Sequence, residues 1–178
     1  MTHRQQLQHY FNFDLWSTRK LADCLMMTDT FPNKPACTAL LSHTLNIQFA
    51  WLHRIVDAPI PLPDRWEEHR LEEIKPIAKD AASYWINLVG DHDVDLSVDV
   101  YWQTEDGMQR TAPIHQICRH VIDHGQFHRA QIELMLHRGH CTVPETDYHH
   151  YAVRLPDQGL QKGPSYETEI NPSTLGNA

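Results

Sequence analysis

The chain lacks the features that mark several large classes of protein. Its 178 residues carry a formal net charge of -8 and contain no cluster of lysine and arginine, which argues against nucleic acid or an anionic membrane surface as a partner. No apolar run approaches the roughly 20 residues needed to span a bilayer, and residues 1–6 are too polar for a signal peptide. We find no internal repeat. We therefore expect a soluble, cytoplasmic protein without nucleic-acid or membrane partners.

Paired cysteines are also missing. The four cysteines show neither C-x-x-C spacing nor the density of a secreted disulfide scaffold, so we expect free thiols in a reducing compartment. The chain is long enough for a single domain that removes roughly 70% of its unfolded surface from water. We predict one domain in residues 1–151, followed by a tail in residues 152–178.

Apolar periodicity predicts four long helices. In residues 2–27, and again after a break at 31–35, apolar side chains recur every three or four positions, as in a helix with one buried face. A third such segment covers residues 71–89, and a fourth follows Thr111, with Pro113 in its first turn. The predicted inward positions are Leu7, Phe11, Leu15, Thr18, Ala22 and Leu25 in the first helix, Leu40, His43, Ile47 and Trp51 in the second, and Ile74, Ile77, Ala81, Tyr84, Trp85 and Leu88 in the third.

A strand pattern precedes the fourth helix. Apolar and polar residues alternate over 96–103 before the turn signal Asp106-Gly107, which predicts a two-stranded hairpin. Thr111 is the predicted N-cap of the fourth helix, and Gly139 follows its last turn. The predicted fold class is all-α, a four-helix bundle with a short β-hairpin before the last long helix. The tail is rich in Pro, Gly, Ser and Thr, and we expect it to pack on the bundle or on a partner subunit.

Three histidines follow one another at four-residue steps in the fourth helix. Each step rotates the side chain by only about 40°, so His120, His124 and His128 share one side of the helix. One interpretation is a metal site, since neutral imidazole binds zinc, nickel, copper and iron. The alternative is that these histidines are ordinary packed side chains held by hydrogen bonds. His43 favours a metal site, because it lies on the inner face of another helix and facing helices approach to about 8–10 Å.

Three sequence segments carry a further pattern. The first helix contains FDLWSTRKL from Phe13, the second contains LSHTL from Leu41, and the fourth contains HVIDH from His120 followed by HRAQ from His128. Together they resemble the DinB (damage-inducible, YfiT-like) family of four-helix metalloproteins over roughly residues 5–150.

The resemblance implies a metal-binding triad of His43, His124 and His128. The chain departs from the family pattern at two places. It has Ala130 where the family commonly has glycine, and Asp123 where the family often has asparagine. Neither departure falls on an implied ligand.

Other histidines and one cysteine are candidates for the same site. His120 is either an alternative ligand or a residue that orients the ligands. His149 and His150 would need the tail to fold back over the site. Cys118 lies about 200° from His120 around the helix, so we do not expect a thiolate ligand.

Acidic and aromatic residues could also surround the triad. Asp14 would orient an imidazole if it were buried, but we expect a solvated carboxylate; for Asp123 and Arg129 we expect pairing on the helix surface. No general base can be assigned from spacing alone. Four tryptophans either line a pocket or pack in the core, and we expect core packing for most of Trp16, Trp51, Trp85 and Trp102.

Three protein ligands leave a divalent metal ion with an open position, which is typical of catalytic sites. The resemblance implies either hydrolysis of a small molecule or thiol S-transfer with a low-molecular-weight thiol as partner. The predicted function is therefore a small enzyme that uses a divalent transition metal (zinc, nickel or iron). The alternative is a non-catalytic metal- or ligand-binding helical bundle. A homodimer is expected on general grounds, since helical proteins of this size often pair by two-fold symmetry.

Overall fold

The computed structural model describes residues 1–56, 61–104 and 106–153. The elements in chain order are α1 (His3–Met27), α2 (Lys34–Ile55), α3 (Leu71–Gly90), β1 (Asp99–Gln103), β2 (Gln109–Pro113), α4 (Ile114–Arg138) and α5 (Tyr148–Val153). The predicted all-α bundle, with its hairpin before the last long helix, is confirmed. The short helix α5 was not predicted.

The four long helices surround one core. Thr2 caps α1 by accepting a hydrogen bond from the backbone N–H of Gln5, whose side chain accepts one from the backbone N–H of Thr2. α1 packs most extensively against α3, and α2 against α4. In the core between α1 and α3, the rings of Phe11 and Trp85 stack with their centroids 4.9 Å apart. Each helix therefore contributes an apolar face to a shared interior.

The buried face of α2 differs from the predicted one. Leu41, Leu45 and Leu52 are buried in the core, whereas the predicted inward residues Leu40, Ile47 and Trp51 are partly exposed. In α3, the predicted inward residue Tyr84 is exposed, and in α1 Leu15 is only partly buried. A helix in a bundle contacts two neighbours, so apolar residues at the flanks of its buried face follow the same period as core residues. Periodicity alone does not separate the two.

The hairpin caps the fourth helix. β1 and β2 are antiparallel, and Gly107 in the turn has a φ of +80°, which glycine adopts without strain. Thr111 lies inside β2, so its prediction as an N-cap is wrong. The N-cap is Pro113, and the next two backbone N–H groups of the chain donate to Val98 O and Leu96 O at 3.1 and 3.0 Å. These carbonyls, from the segment just before β1, satisfy the first two N–H groups of α4 without a side-chain cap. Gly139 is the C-cap of α4, as predicted.

The chain after α4 crosses back to α1. In α5, Tyr151 packs against Phe13, with ring centroids 5.5 Å apart. The predicted domain boundary at residue 151 falls within α5, and the predicted placement of the tail concerns residues 152–178, of which 154–178 lie outside the described residues. Among the helices that are described, none is both long enough and apolar enough to cross a bilayer.

Candidate metal centre

Three histidines meet between α2 and α4. One potential ligand atom from each of His43, His124 and His128 lies within 4.8 Å of those of the other two. His124 and His128 lie one turn apart on α4 with their Nε2 atoms 3.2 Å from each other. His43 approaches from α2, with its ring centroid 5.1 Å from that of His124 and 5.0 Å from that of His128. The two helices thus bring together the three residues that the resemblance implied.

Hydrogen bonds on the outer side of two imidazoles define which nitrogen faces inward. His43 Nδ1 lies 3.0 Å from Arg65 O, and His128 Nδ1 lies 2.8 Å from Gln131 Oε1. Carbonyl and amide oxygens only accept, so each Nδ1 carries the hydrogen and donates it. The Nε2 lone pairs of both rings are therefore available as ligands, an arrangement common among metal-binding histidines.

The surroundings also keep the imidazoles neutral. Burial lowers the pKa of His124 to about 4, with further contributions from the neighbouring His128, His43 and His120. Burial is also the main cause that lowers the pKa of His43. A histidine must be neutral to bind a metal ion, so both shifts favour metal binding at neutral pH.

The connection between α2 and α3 covers one side of the cluster. His69 N donates to Ser42 Oγ at 3.0 Å, and Asn46 Nδ2 donates to Glu67 O at 2.8 Å, so this connection is tied to α2. The ring of Trp66 consequently stacks on His43 at a centroid distance of 3.9 Å and an interplanar angle of 11°. Trp66 was not predicted as a site residue, because a tryptophan in an irregular proline-containing segment has no periodic signal.

A pocket of about 860 Å³ opens beside His43 and His124. This volume lies within the range of small-molecule sites, which is about 300–1,000 Å³. Trp51 and Trp102 meet edge to face in its wall, with centroids 5.0 Å apart, whereas Trp85 lies in the core. The other residues that line the pocket are Ile47, Ala50, Arg54, Arg65, Trp66, Gln103, Thr104, Asp106 and His120.

A buried polar network lies behind the histidines. Asp14 and Arg129 are 4% and 3% exposed and form an ion pair between α1 and α4, and Gln48 Nε2 donates to Asp14 Oδ2 at 3.0 Å. The expectation of a solvated Asp14 is therefore wrong, and so is that of surface pairing for Arg129. The two residues pair with each other across α1 and α4, and a helical wheel drawn for one helix does not reveal such a contact. Gly125 makes room for the pair, since a Cβ there would lie 2.6 Å from Asp14 Oδ1.

The remaining candidates lie outside the cluster. His120 is exposed and lines the pocket, with its ring centroid 5.8 Å from that of His124. His150 pairs with Asp147 at 2.6 Å. Asp123 pairs with Arg119 at 2.7 Å on the helix surface, as predicted. Within residues 1–56, 61–104 and 106–153, His43, His124 and His128 form the group suited to hold a metal ion, which includes neither His149 nor His150.

The cysteines take no part in this cluster. Cys118 is fully buried, and burial raises the pKa of its thiol to about 12, so it is not available as a thiolate. All four cysteines are free of disulfides, as expected.

Comparison with known proteins supplies one result. A family model described as DinB family matches residues 30–159, which include the three clustered histidines. No match was found among curated proteins. None was found among solved structures.

Proposed function

The chain belongs to the DinB family, and from this membership and the histidine cluster we propose that it is a small metal-dependent enzyme. His43, His124 and His128 would hold one divalent transition metal ion, such as zinc, nickel or iron. The reaction would be thiol S-transfer or hydrolysis of a small molecule. The observation that carries the proposal is the convergence of three imidazole donors from α2 and α4 beside a pocket.

The donor set suits such an ion. Imidazole nitrogen is a ligand for first-row transition metals, whereas calcium and magnesium prefer oxygen. Two of the three rings have their Nδ1 hydrogens committed to Arg65 O and Gln131 Oε1. Three protein ligands would leave a position open toward the pocket, where a bound ion would polarise an oxygen or lower the pKa of a thiol.

The residues of the chain would bind and orient the substrate. Trp51, Trp66 and Trp102 offer apolar surface in the wall of the pocket beside the histidines. The carboxylate of Asp106 lines the same pocket, but it accepts hydrogen bonds from Thr104 Oγ1 and Met108 N within its own turn. Its engagement in that turn makes it a poor candidate for the general base that hydrolysis would need.

Metal content tests the proposal. Protein purified without an affinity tag should contain close to one transition-metal ion per chain by elemental analysis. His124→Ala and His128→Ala should each abolish this stoichiometric binding, because two ligands do not hold the ion firmly. The control is His92→Ala, which removes an exposed histidine outside the cluster and should retain the metal. Retention of one ion per chain in the His124 or His128 variant would refute the assignment.

A second measurement separates enzyme from binding protein. An exchangeable water in cobalt-substituted protein, followed by turnover with candidate thiols and electrophiles, would support catalysis. A closed four-ligand sphere would instead favour a non-catalytic metal-binding bundle. We also propose a cytoplasmic location, a low-molecular-weight thiol as partner and a homodimer. Sedimentation of the full chain tests the dimer.

A further inference from the structure

Two arginines lie in the wall of the pocket beside the histidines. Arg54 is in the last turn of α2, and Arg65 is in the connection before α3; both line the pocket with His43 and His124. The two positive side chains thus share one pocket, where burial and then the charge of Arg65 lower the pKa of Arg54. Like charges held at one pocket raise its potential and favour an anionic ligand.

The guanidinium of Arg54 is oriented by its own helix. Its Nη1 donates to Ala50 O at 3.0 Å, and its central carbon lies 4.8 Å from the ring centre of Trp51. Arginine has five N–H donors. Among the residues that the structure describes, no carboxylate lies within ion-pair distance of Arg54, so no described ion pair occupies its other donors.

The pocket also has one carboxylate among its described lining residues, that of Asp106. Asp106 belongs to the hairpin turn, and hydrogen bonds from Thr104 and from the backbone of Met108 lower its pKa. Both hydrogen bonds end on Oδ1, so one oxygen of this carboxylate is engaged within the turn. The pocket combines a cationic wall with the aromatic rings of Trp51, Trp66 and Trp102.

We propose that Arg54 binds an anionic group, a carboxylate, of the small molecule that this pocket takes, while another atom of the same molecule reaches the metal position at the histidines. This inference rests on the proposed function and specifies its substrate class. A forked guanidinium matches a carboxylate with two parallel hydrogen bonds, which a lysine does not reproduce. Arg54 is therefore a specificity-determining residue.

The first test uses the metal-free full chain and needs no activity. The side-chain Nε–H resonance of Arg54 is followed by NMR during titration with propionate and, separately, with its neutral analogue propionamide. We expect propionate to shift this resonance and the imidazole resonance of His124 in a saturable way, and propionamide not to. Equal shifts with both probes, or none with propionate, would overturn the inference.

The second test uses the cobalt-loaded full chain and a thiol probe. Absorption from cobalt–thiolate contact gives the Kd of 3-mercaptopropionate and of 3-mercaptopropionamide. We expect the carboxylate to bind about tenfold more tightly in the native chain, as for a hydrogen bond to a charged group, and the preference to vanish in Arg54→Gln. Arg54→Lys should keep part of it. An unchanged preference in Arg54→Gln would overturn the inference.

A matched control and a separate outcome complete the design. Arg119→Gln removes the same charge from an arginine of α4 that pairs with Asp123 and does not line the pocket, so it should keep the full preference. If cobalt fails to bind the native chain, the proposed metal function is refuted. The inference about Arg54 is then decided by the propionate titration alone. A carboxylate preference in the thiol probe without any shift by propionate would likewise overturn the inference, since Arg54 would then not bind the carboxylate by itself.

Discussion

Gln131 determines which nitrogen of His128 faces the cluster. Its Oε1 accepts the Nδ1 hydrogen at 2.8 Å, so Nε2 is directed toward His124, whose Nε2 lies 3.2 Å away. The backbone carbonyl of Arg65 does the same for His43. Such outer hydrogen bonds fix the ring and raise its basicity as a ligand. A side chain that never touches the metal position is thus expected to influence metal affinity.

Substitution of Gln131 tests this expectation. In Gln131→Leu the Nδ1 hydrogen of His128 loses its acceptor, and the ring becomes free to rotate or change tautomer. We expect the affinity for zinc to fall by about 10- to 100-fold, as measured by competition with a chromophoric chelator. The control Gln126→Leu alters an exposed glutamine on the same helix. Similar affinities in both variants would show that the hydrogen bond does not orient the ligand.

At the scale of elements, α1 and α4 pack closely where Gly125 faces Asp14. The position lies between His124 and His128 along the chain, yet it faces a different helix from the histidines. A Cβ there would lie 2.6 Å from Asp14 Oδ1 and 3.0 Å from Arg129 Nη1, in a fully buried network that has little freedom to move. The absence of a side chain at 125 therefore permits the ion pair between the two helices.

Gly125→Ala should destabilise the protein in spite of the higher helix propensity of alanine. Overpacking of this kind costs about 1–3 kcal/mol, against a gain of about 1 kcal/mol from propensity, so we expect a net loss of up to about 2 kcal/mol. The free energy of unfolding in urea measures it. In the comparison variant Gly90→Ala, the new Cβ meets the end of the flexible Gln8 side chain, which can move. A stabilised Gly125→Ala protein would contradict the proposed close packing.

The connection between α2 and α3 is the second element-scale determinant of the site. Its backbone hydrogen bonds with Ser42 and Asn46 bring Trp66 over His43 and Arg65 to the pocket wall. Asn46 is fully buried, so its amide is satisfied only when this segment is docked. An irregular segment thus acquires a defined position from polar residues of the adjacent helix.

For the whole molecule, the lowered histidine pKa values make stability depend on pH. The folded state holds His124 with a pKa of about 4 and His43 with a lowered pKa, whereas both have about 6.5 when unfolded. Between these values the unfolded chain binds more protons than the folded one. Stability of the metal-free protein should therefore fall as the pH drops from about 6.5 toward 4. Above about pH 6.5 these histidines are neutral in both states, and they no longer make stability depend on pH.

Urea unfolding of metal-free protein at several pH values between 7.5 and 4.5 measures this dependence. His124→Asn removes the group with the largest shift, so its free energy of unfolding should decline less over the same range. Carboxylates titrate in both proteins and cancel in the difference. Parallel pH profiles for the native chain and the variant would show that folding does not lower the pKa of His124.

The sequence determined the four long helices, the hairpin and the alignment of His124 with His128, because each depends on periodicity or spacing within one segment. The inner face predicted for the second helix, together with the family resemblance, also pointed to His43. The same local signals did not determine which residues at the edge of a helix face are buried, or where a helix begins. They placed Tyr84 in the interior and Thr111 at a helix start, where the structure shows an exposed ring and a strand residue.

Only the tertiary structure decided what surrounds the three histidines. The burial of Asp14 with Arg129, the stacking of Trp66 on His43 and the position of Arg54 in the pocket wall join residues far apart in the chain. Such contacts depend on which helices become neighbours and on how the connection between α2 and α3 folds back. A local pattern reports the face of one helix, whereas a site is formed by several elements packed together.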